Sequence, residues 1–269
     1  MNHRRYVAPT FGERNHALVW KTGLQQAMEL VEFWQATSAG EGDSAVQPPV
    51  HHDLLSLTLH TVAGAAYGVP MTFLHREAAP DSLNGEEDLF SDGATPPTGF
   101  TLSFRQALAF VANNLIAHTI VSALPPWISR LKIPFVLQHR RAHTDFTRYL
   151  SALAATAGTS GRPTLLDLLV AGQDSEDDGK KLSREELMGN LFTFTLAGYE
   201  TTAQTLYYAL LMLALQPDTQ RWVREGVDAA LLDQPADPRE WRYETVFPLL
   251  VRPLCLMVPL TLSSPASLR

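Results

Sequence analysis

The sequence predicts a mainly α protein organised around one long central helix, about 183–216. Three observations carry this. The run SREELMGNLFTFTLAGYETTAQTLYYALLMLALQ opens on Ser183 with Glu186 three residues on, a capping-box start, and Glu185 and Glu186 complement the helix dipole. Pro217 follows as a stop, because a proline cannot donate to the preceding turn. Between them lie about 33 residues, ~50 Å of helix at 1.5 Å per residue, apolar on most faces and so expected to cross the middle of a sizeable domain. The other periodic segments also have helical spacing, and Gly/Pro/Ser-rich loops separate them.

In order, His16–Gln35 reads as a helix, followed by a Gly/Ser/Pro loop over Ser38–Val50. HHDLLSLTLHTVAGAAYGV then reads as a buried helix with Asp53 as its cap. Arg76–Gly99 is acidic and rich in proline and glycine, a long loop. Leu102–Leu124 is apolar and helical, closed by Pro125-Pro126-Trp127. Gln138–Ala155 is an amphipathic helix with Arg140, Arg141 and Arg148 on its outer face. Thr164–Val170 begins a short helix, and Asp174–Lys181 is a charged surface loop. After the central helix come an amphipathic helix over Asp218–Leu232 and a polar connection over Asp233–Trp241.

Composition narrows the function. With 45% hydrophobic residues over 269, a core can form. The net charge of −7, with no basic stripe, argues against nucleic acid. One cysteine excludes an internal disulfide. No signal peptide or membrane anchor is read: no apolar stretch follows Met1-Asn2-His3-Arg4-Arg5, and Arg252 and three prolines interrupt Val246–Leu262, the most apolar run. His51, His52 and His60 are not read as a metal site, since no acidic or cysteine partner has ligand spacing. Hydrolase elbows, zincin motifs and phosphate-cradling glycine loops are absent from the sequence.

The chemistry sits mid-helix. Ala197-Gly198-Tyr199-Glu200-Thr201-Thr202 puts a glycine, a carboxylate and two alcohols where leucines would serve better, and Gly198 alone costs about 1 kcal/mol relative to alanine. Helical spacing sets Phe194, Gly198, Thr201, Thr202 and Thr205 near one face, with Gly198 clearing it for a flat ligand and Glu200 beside it. A bland alternative stands: the hexapeptide as a polar patch at a helix–helix contact.

AGYETT, with its flanks LSREELMGNLFTF and AQTL, resembles the central helix of the cytochrome P-450 family, the haem-thiolate monooxygenases, whose motif is Ala/Gly-Gly-x-Asp/Glu-Thr-Thr/Ser. The resemblance implies a partial cytochrome P-450 fold of fungal type. It runs from the propionate-arginine helix to just before the Glu-x-x-Arg helix, with 1–257 as the truncated domain and 258–269 as an aberrant Ser/Pro-rich tail. A shifted reading frame or an unspliced intron would produce such a tail. The resemblance assigns Glu200 and Thr201 to proton delivery and Ala197 and Gly198 to the oxygen groove. Ala8-Pro9-Thr10-Phe11 aligns with the family's turn and puts Arg4 at the haem propionate; the alternative for Arg4 and Arg5 is a solvated charge pair. Phe104, Phe110 and Leu115 fall where the family roofs its substrate pocket, or are simply core. Haem, an NADPH-dependent reductase and an apolar small-molecule substrate are implied. Eukaryotic members usually sit at the endoplasmic reticulum membrane; without the anchor this chain reads as cytoplasmic or unplaced. The family's thiolate loop, Phe-x-x-Gly-x-Arg-x-Cys-x-Gly, has no counterpart: Cys255 sits in Arg252-Pro253-Leu254-Cys255-Leu256-Met257 and reads as a buried small hydrophobe. An inactive chain is therefore expected, with a partly exposed core. The competing reading is a non-catalytic helical protein that binds an apolar ligand or partner.

Overall fold

Helix α1 spans Glu13–Ser38 and α2 spans Val50–Val62, continued by a π-helical turn, Ala63–Tyr67. Then come α3 (Phe104–Asn113), α4 (Pro134–Ala155), α5 (Leu165–Gln173), α6 (Arg184–Leu215), α7 (Pro217–Leu231) and a 3-10 turn, Pro238–Glu240. A last helical stretch covers 243–250. This computed structural model describes residues 6–8, 11–38, 50–73, 89–90, 96–114, 117, 120–121, 124–125, 128, 133–159, 164–173 and 181–250. Among these residues there is no strand, so the structure is mainly α as the sequence predicts. Arg4, Leu115, Cys255 and the tail 258–269 lie outside them.

The chain divides into two units, Met1–Gly12 with Leu59–Tyr199, and Glu13–Thr58 with Glu200–Arg269. In the first, α3 packs on α4. Ser103 starts α3 with a capping box completed by Gln106, so two otherwise orphaned N–H groups are satisfied. An aromatic cluster fills the space between the two helices: Phe104 meets Phe90, Phe146 and Tyr149 at ring distances of 5.4, 6.4 and 5.4 Å. Tyr149 donates to the Leu102 carbonyl, and burial, with the nearby Asp145 charge, pushes its hydroxyl up to about 12. Asp145, only 4% exposed, accepts from the Thr101 hydroxyl, the Thr101 N–H (2.8 Å) and the Leu102 N–H (3.1 Å). Its carboxylate thus ties the approach to α3 onto α4. Thr164 and Asp167 form a reciprocal cap at the start of α5, with Asp167 also accepting the Gly158 N–H. Gly68 closes the π-helical turn at φ 75°, where a side chain would be strained, and donates to Ala63.

In the second unit Trp34 donates to the fully buried Asp53 at 2.8 Å. Asp53 therefore lies in the first turn of α2, three residues inside a helix that starts at Val50, and is not its cap. Trp20 packs edge-on against Phe247 at 5.7 Å, and Tyr243 donates to Glu13. The 3-10 turn is held by Arg239 bonding Glu32 at 3.0 Å.

Three further expectations need adjustment. Pro217 does not merely stop α6; it opens α7 at the first position, where its missing N–H has no partner to lose. The helix expected over Leu102–Leu124 is interrupted: Phe104–Asn113 ends with Asn114 binding back to the Phe110 carbonyl, and residues 117, 120 and 121 are again helical. Arg140 is not on the outer face of α4: it turns to donate to the Leu124 carbonyl at 2.8 Å, as a guanidinium can where a helix or turn leaves carbonyls unpaired.

Candidate functional site

The capping box that opens α6 is present as the sequence predicts: Glu186 N–H donates to Ser183 Oγ at 3.1 Å, and Ser183 N–H to the Glu186 carboxylate at 2.9 Å. From there the helix shows two distinct sides. Leu191, Thr195, Tyr199 and Ala203 are buried, each four residues from the last. Thr193, Ala197, Thr201 and Thr205 are exposed. The two rows are offset by two residues, which is about 200° round an α-helix, so they are opposite faces. The exposed row carries nothing bulkier than threonine through the AGYETT segment. Glu200 is half-buried between the two, and Thr205 back-bonds to the Thr201 carbonyl at 2.8 Å.

Gly198 does not clear the same face as Thr201. A Cβ built there would come within 2.9 Å of Val62 Cγ2, so the missing side chain makes room for α2 rather than for a ligand. Alanine at this position gains about 1 kcal/mol of helix propensity but loses roughly 1–3 kcal/mol to overpacking, because a helical valine has one dominant rotamer and cannot turn aside. Gly198→Ala is therefore expected to destabilise the protein with Val62 in place. In a Val62→Ala background it should stabilise by about 1 kcal/mol, helix propensity then acting alone. Urea unfolding of the four combinations checks the change of sign.

On the buried side Thr195 Oγ1 donates to the Leu191 carbonyl at 2.7 Å, and Tyr67 lies 2.7 Å from the same oxygen. The Tyr67 hydroxyl proton has two acceptors in reach, the Thr195 oxygen and the Leu191 carbonyl at 3.3 Å. Burial, only partly offset by the Thr195 contact, raises the Tyr67 pKa far above the usual phenol range, which keeps that proton in place. The tyrosine comes from the π-helical turn 128 residues earlier and pins α6 just ahead of AGYETT. A threonine bonded back to its own i−4 carbonyl slightly opens a helix. Sequence reasoning missed this pair; the one available signal was a hydroxyl at Thr195 within an otherwise apolar row.

The cytochrome P450 family profile matches residues 1–244. This chain belongs to the cytochrome P450 family. It is 28% identical over 269 residues to cytochrome P450 monooxygenase 124 of Postia placenta, covering 97% of this chain and 47% of that protein. With cytochrome P450 monooxygenase AOL_s00215g278 of Arthrobotrys oligospora it shares 28% over 274 residues, 93% of this chain and 43% of that one. These relatives are fungal, as the motif resemblance implied. A solved cytochrome P450, CYP102L1, matches the fold with a TM-score of 0.64 at 18% identity, over 97% of this chain and 52% of that one. The chain thus spans about half the length of the curated relatives it matches.

The family implies haem, and the described residues fit one part of such a site. A porphyrin needs a wall free of long side chains, and the exposed Thr193–Ala197–Thr201 row carries none. Among the described residues no three His, Cys, Asp or Glu side chains cluster to hold a metal, and no helix is long and apolar enough to cross a membrane.

Proposed function

We propose that this P450 chain is part of a haem-dependent monooxygenase, which inserts one oxygen atom of O2 into an apolar organic substrate with electrons from an NADPH-dependent reductase, and that the 269 residues by themselves, in which the family's thiolate loop has no counterpart, are inactive. The observation that carries the reading is the exposed, small-residue face of α6 centred on Ala197 and Thr201, opposite a buried face that fixes the helix. Haem, when bound, supplies the activation of oxygen. Ala197 keeps the wall low enough for oxygen to sit against the helix. Gly198 contributes backbone there, its Cβ direction being taken by Val62. Thr201 Oγ1 donates a hydrogen bond into the groove, and the half-buried Glu200 carboxylate beside it relays a proton to that hydroxyl from water. Arg4, outside the described residues, pairs with a propionate through its forked guanidinium.

Haemin binding to the 269-residue chain tests the wall without any assay of turnover. Tryptophan at Ala197 would stand on an exposed position, so it blocks the face without crowding the interior. Ala197→Trp is expected to weaken the tightest haemin site, followed by Soret absorbance, by about tenfold or more, as loss of a stacking surface of at least about 1.4 kcal/mol implies. Unchanged affinity in a variant of unchanged circular dichroism would refute this placing of the porphyrin.

A further inference from the structure

An open groove of about 700 Å³ lies on the first unit, on the outer side of α4. Its lining includes Arg148, Arg184, His143, Thr147, Ser151 and Phe100, and no carboxylate among the described residues. On a chain with a net charge of −7, two guanidiniums in one concavity with no acid among its described lining residues run against the average composition. Both arginines are held in place. Arg148 donates to the Gly99 carbonyl at 2.6 Å and lies 4.0 Å over the Phe100 ring. Arg184 reaches across from the first turn of α6 to Ser151 Oγ at 3.4 Å. Ser151 is three residues after Arg148 on α4, so Arg184 is anchored about one helical turn from it, some 5–6 Å between Cβ positions. The neighbouring acids are engaged elsewhere: Asp145, 3.9 Å from Arg148, accepts three bonds from Thr101 and Leu102, and Glu186 caps Ser183. Glu185, whose carboxyl is lowered by its own backbone N–H, by Ser183 and by Arg184, competes for Arg184 among the described residues.

We infer that this groove binds a small amphipathic oxyanion, an organic phosphate or carboxylate, bridging Arg148 and Arg184 with its apolar part on Phe100 and the α4 surface. Two pre-set guanidiniums a turn apart suit an oxyanion with several acceptor oxygens, since little side-chain freedom remains to be lost. Thr147 and Ser151 offer hydroxyls between them, and the apolar lining supplies the preference for a tail. The site is separate from the exposed row of α6 and does not rest on the haem reading.

Octyl phosphate, inorganic phosphate and octanol are titrated calorimetrically into the full chain. Octyl phosphate is expected to bind one to one, inorganic phosphate more weakly, and octanol not to bind at this site. Arg184 is exposed, so Arg184→Gln should leave the melting curve unchanged. It should also weaken octyl phosphate roughly tenfold, the size of one lost charge-assisted hydrogen bond. Arg184→Lys should recover part of that loss, and Arg221→Gln, which is not in the groove's lining, should lose nothing. Should Arg148→Gln fail to fold, the Arg184 pair still decides. Equal binding of octanol and octyl phosphate overturns the inference. So does an Arg184→Gln affinity equal to that of the parent, or the same loss with Arg221→Gln.

Discussion

Replacing Asp145 by alanine is expected to remove about 3–5 kcal/mol of stability from the first unit, the scale seen when one partner of a buried charged network is deleted. The carboxylate is 4% exposed and accepts from two consecutive backbone N–H groups and a hydroxyl. Alanine leaves those donors without their acceptor at a position that is 4% exposed. The Leu102–Ser103 backbone would then lose its fixed entry angle, and with it the Ser103 capping box. Tyr149, which donates to the Leu102 carbonyl, would be disturbed as well. Asp145→Asn keeps one acceptor oxygen and should fall between alanine and the parent. The contact with Arg148, at 3.9 Å and half-exposed, contributes little by comparison, so Arg148→Gln should cost under about 1 kcal/mol. Urea unfolding followed by tyrosine fluorescence and circular dichroism provides the values. A loss below about 1 kcal/mol for Asp145→Ala would mean that water reaches these donors and that the carboxylate is no tether.

Asp145 also marks what the sequence could not tell. On a helical wheel it is one more charged residue on an amphipathic helix, indistinguishable from Arg141 or Arg148. Its partners lie 43 and 44 residues away, and only folding brings them together. Asp53 was misread for the same reason: Trp34, 19 positions earlier, makes it a buried acceptor rather than a cap. Local chemistry was legible. The Ser183–Glu186 box, the Thr164 start of α5 and the length of α6 depend on neighbours within one turn, and the structure has all three. The mid-helix break was legible as a departure from helix propensity, and the family it resembles is the one whose model matches residues 1–244. Its orientation was not. Five residues sharing about a third of the helix circumference cannot be divided, from spacing alone, between a side that meets Val62 and a side that meets solvent. The apolar second half of α6 was expected inside, yet Leu206, Leu210, Leu211 and Leu215 are exposed, Leu215 by 66%. Hydropathy says that such residues seek cover, not what covers them.

Haemin mixed with the 269-residue chain is expected to give no thiolate-type band in its reduced, CO-bound spectrum, although it should bind against α6. The band requires a deprotonated cysteine on iron, and the thiolate is what pushes electron density toward oxygen. Cys255 is the one cysteine, flanked by Leu254 and Leu256 and preceded by Pro253. An iron-ligating thiolate needs nearby N–H dipoles or a cation to hold the anion. No glycine stands within several residues of Cys255 to let backbone amides approach its sulfur, and Arg252 is three positions away with a proline between. Histidine ligation, or haemin lying loosely on the exposed leucines of α6, would shift the Soret band without producing the thiolate signature. Cys255→Ser separates the cases: its spectrum should coincide with that of the parent. A thiolate band in the parent that disappears in Cys255→Ser would overturn the expectation and make Cys255 the iron ligand. Coincident spectra, together with weaker binding by Ala197→Trp, would leave the chain with the wall of a P450 site and no thiolate of its own.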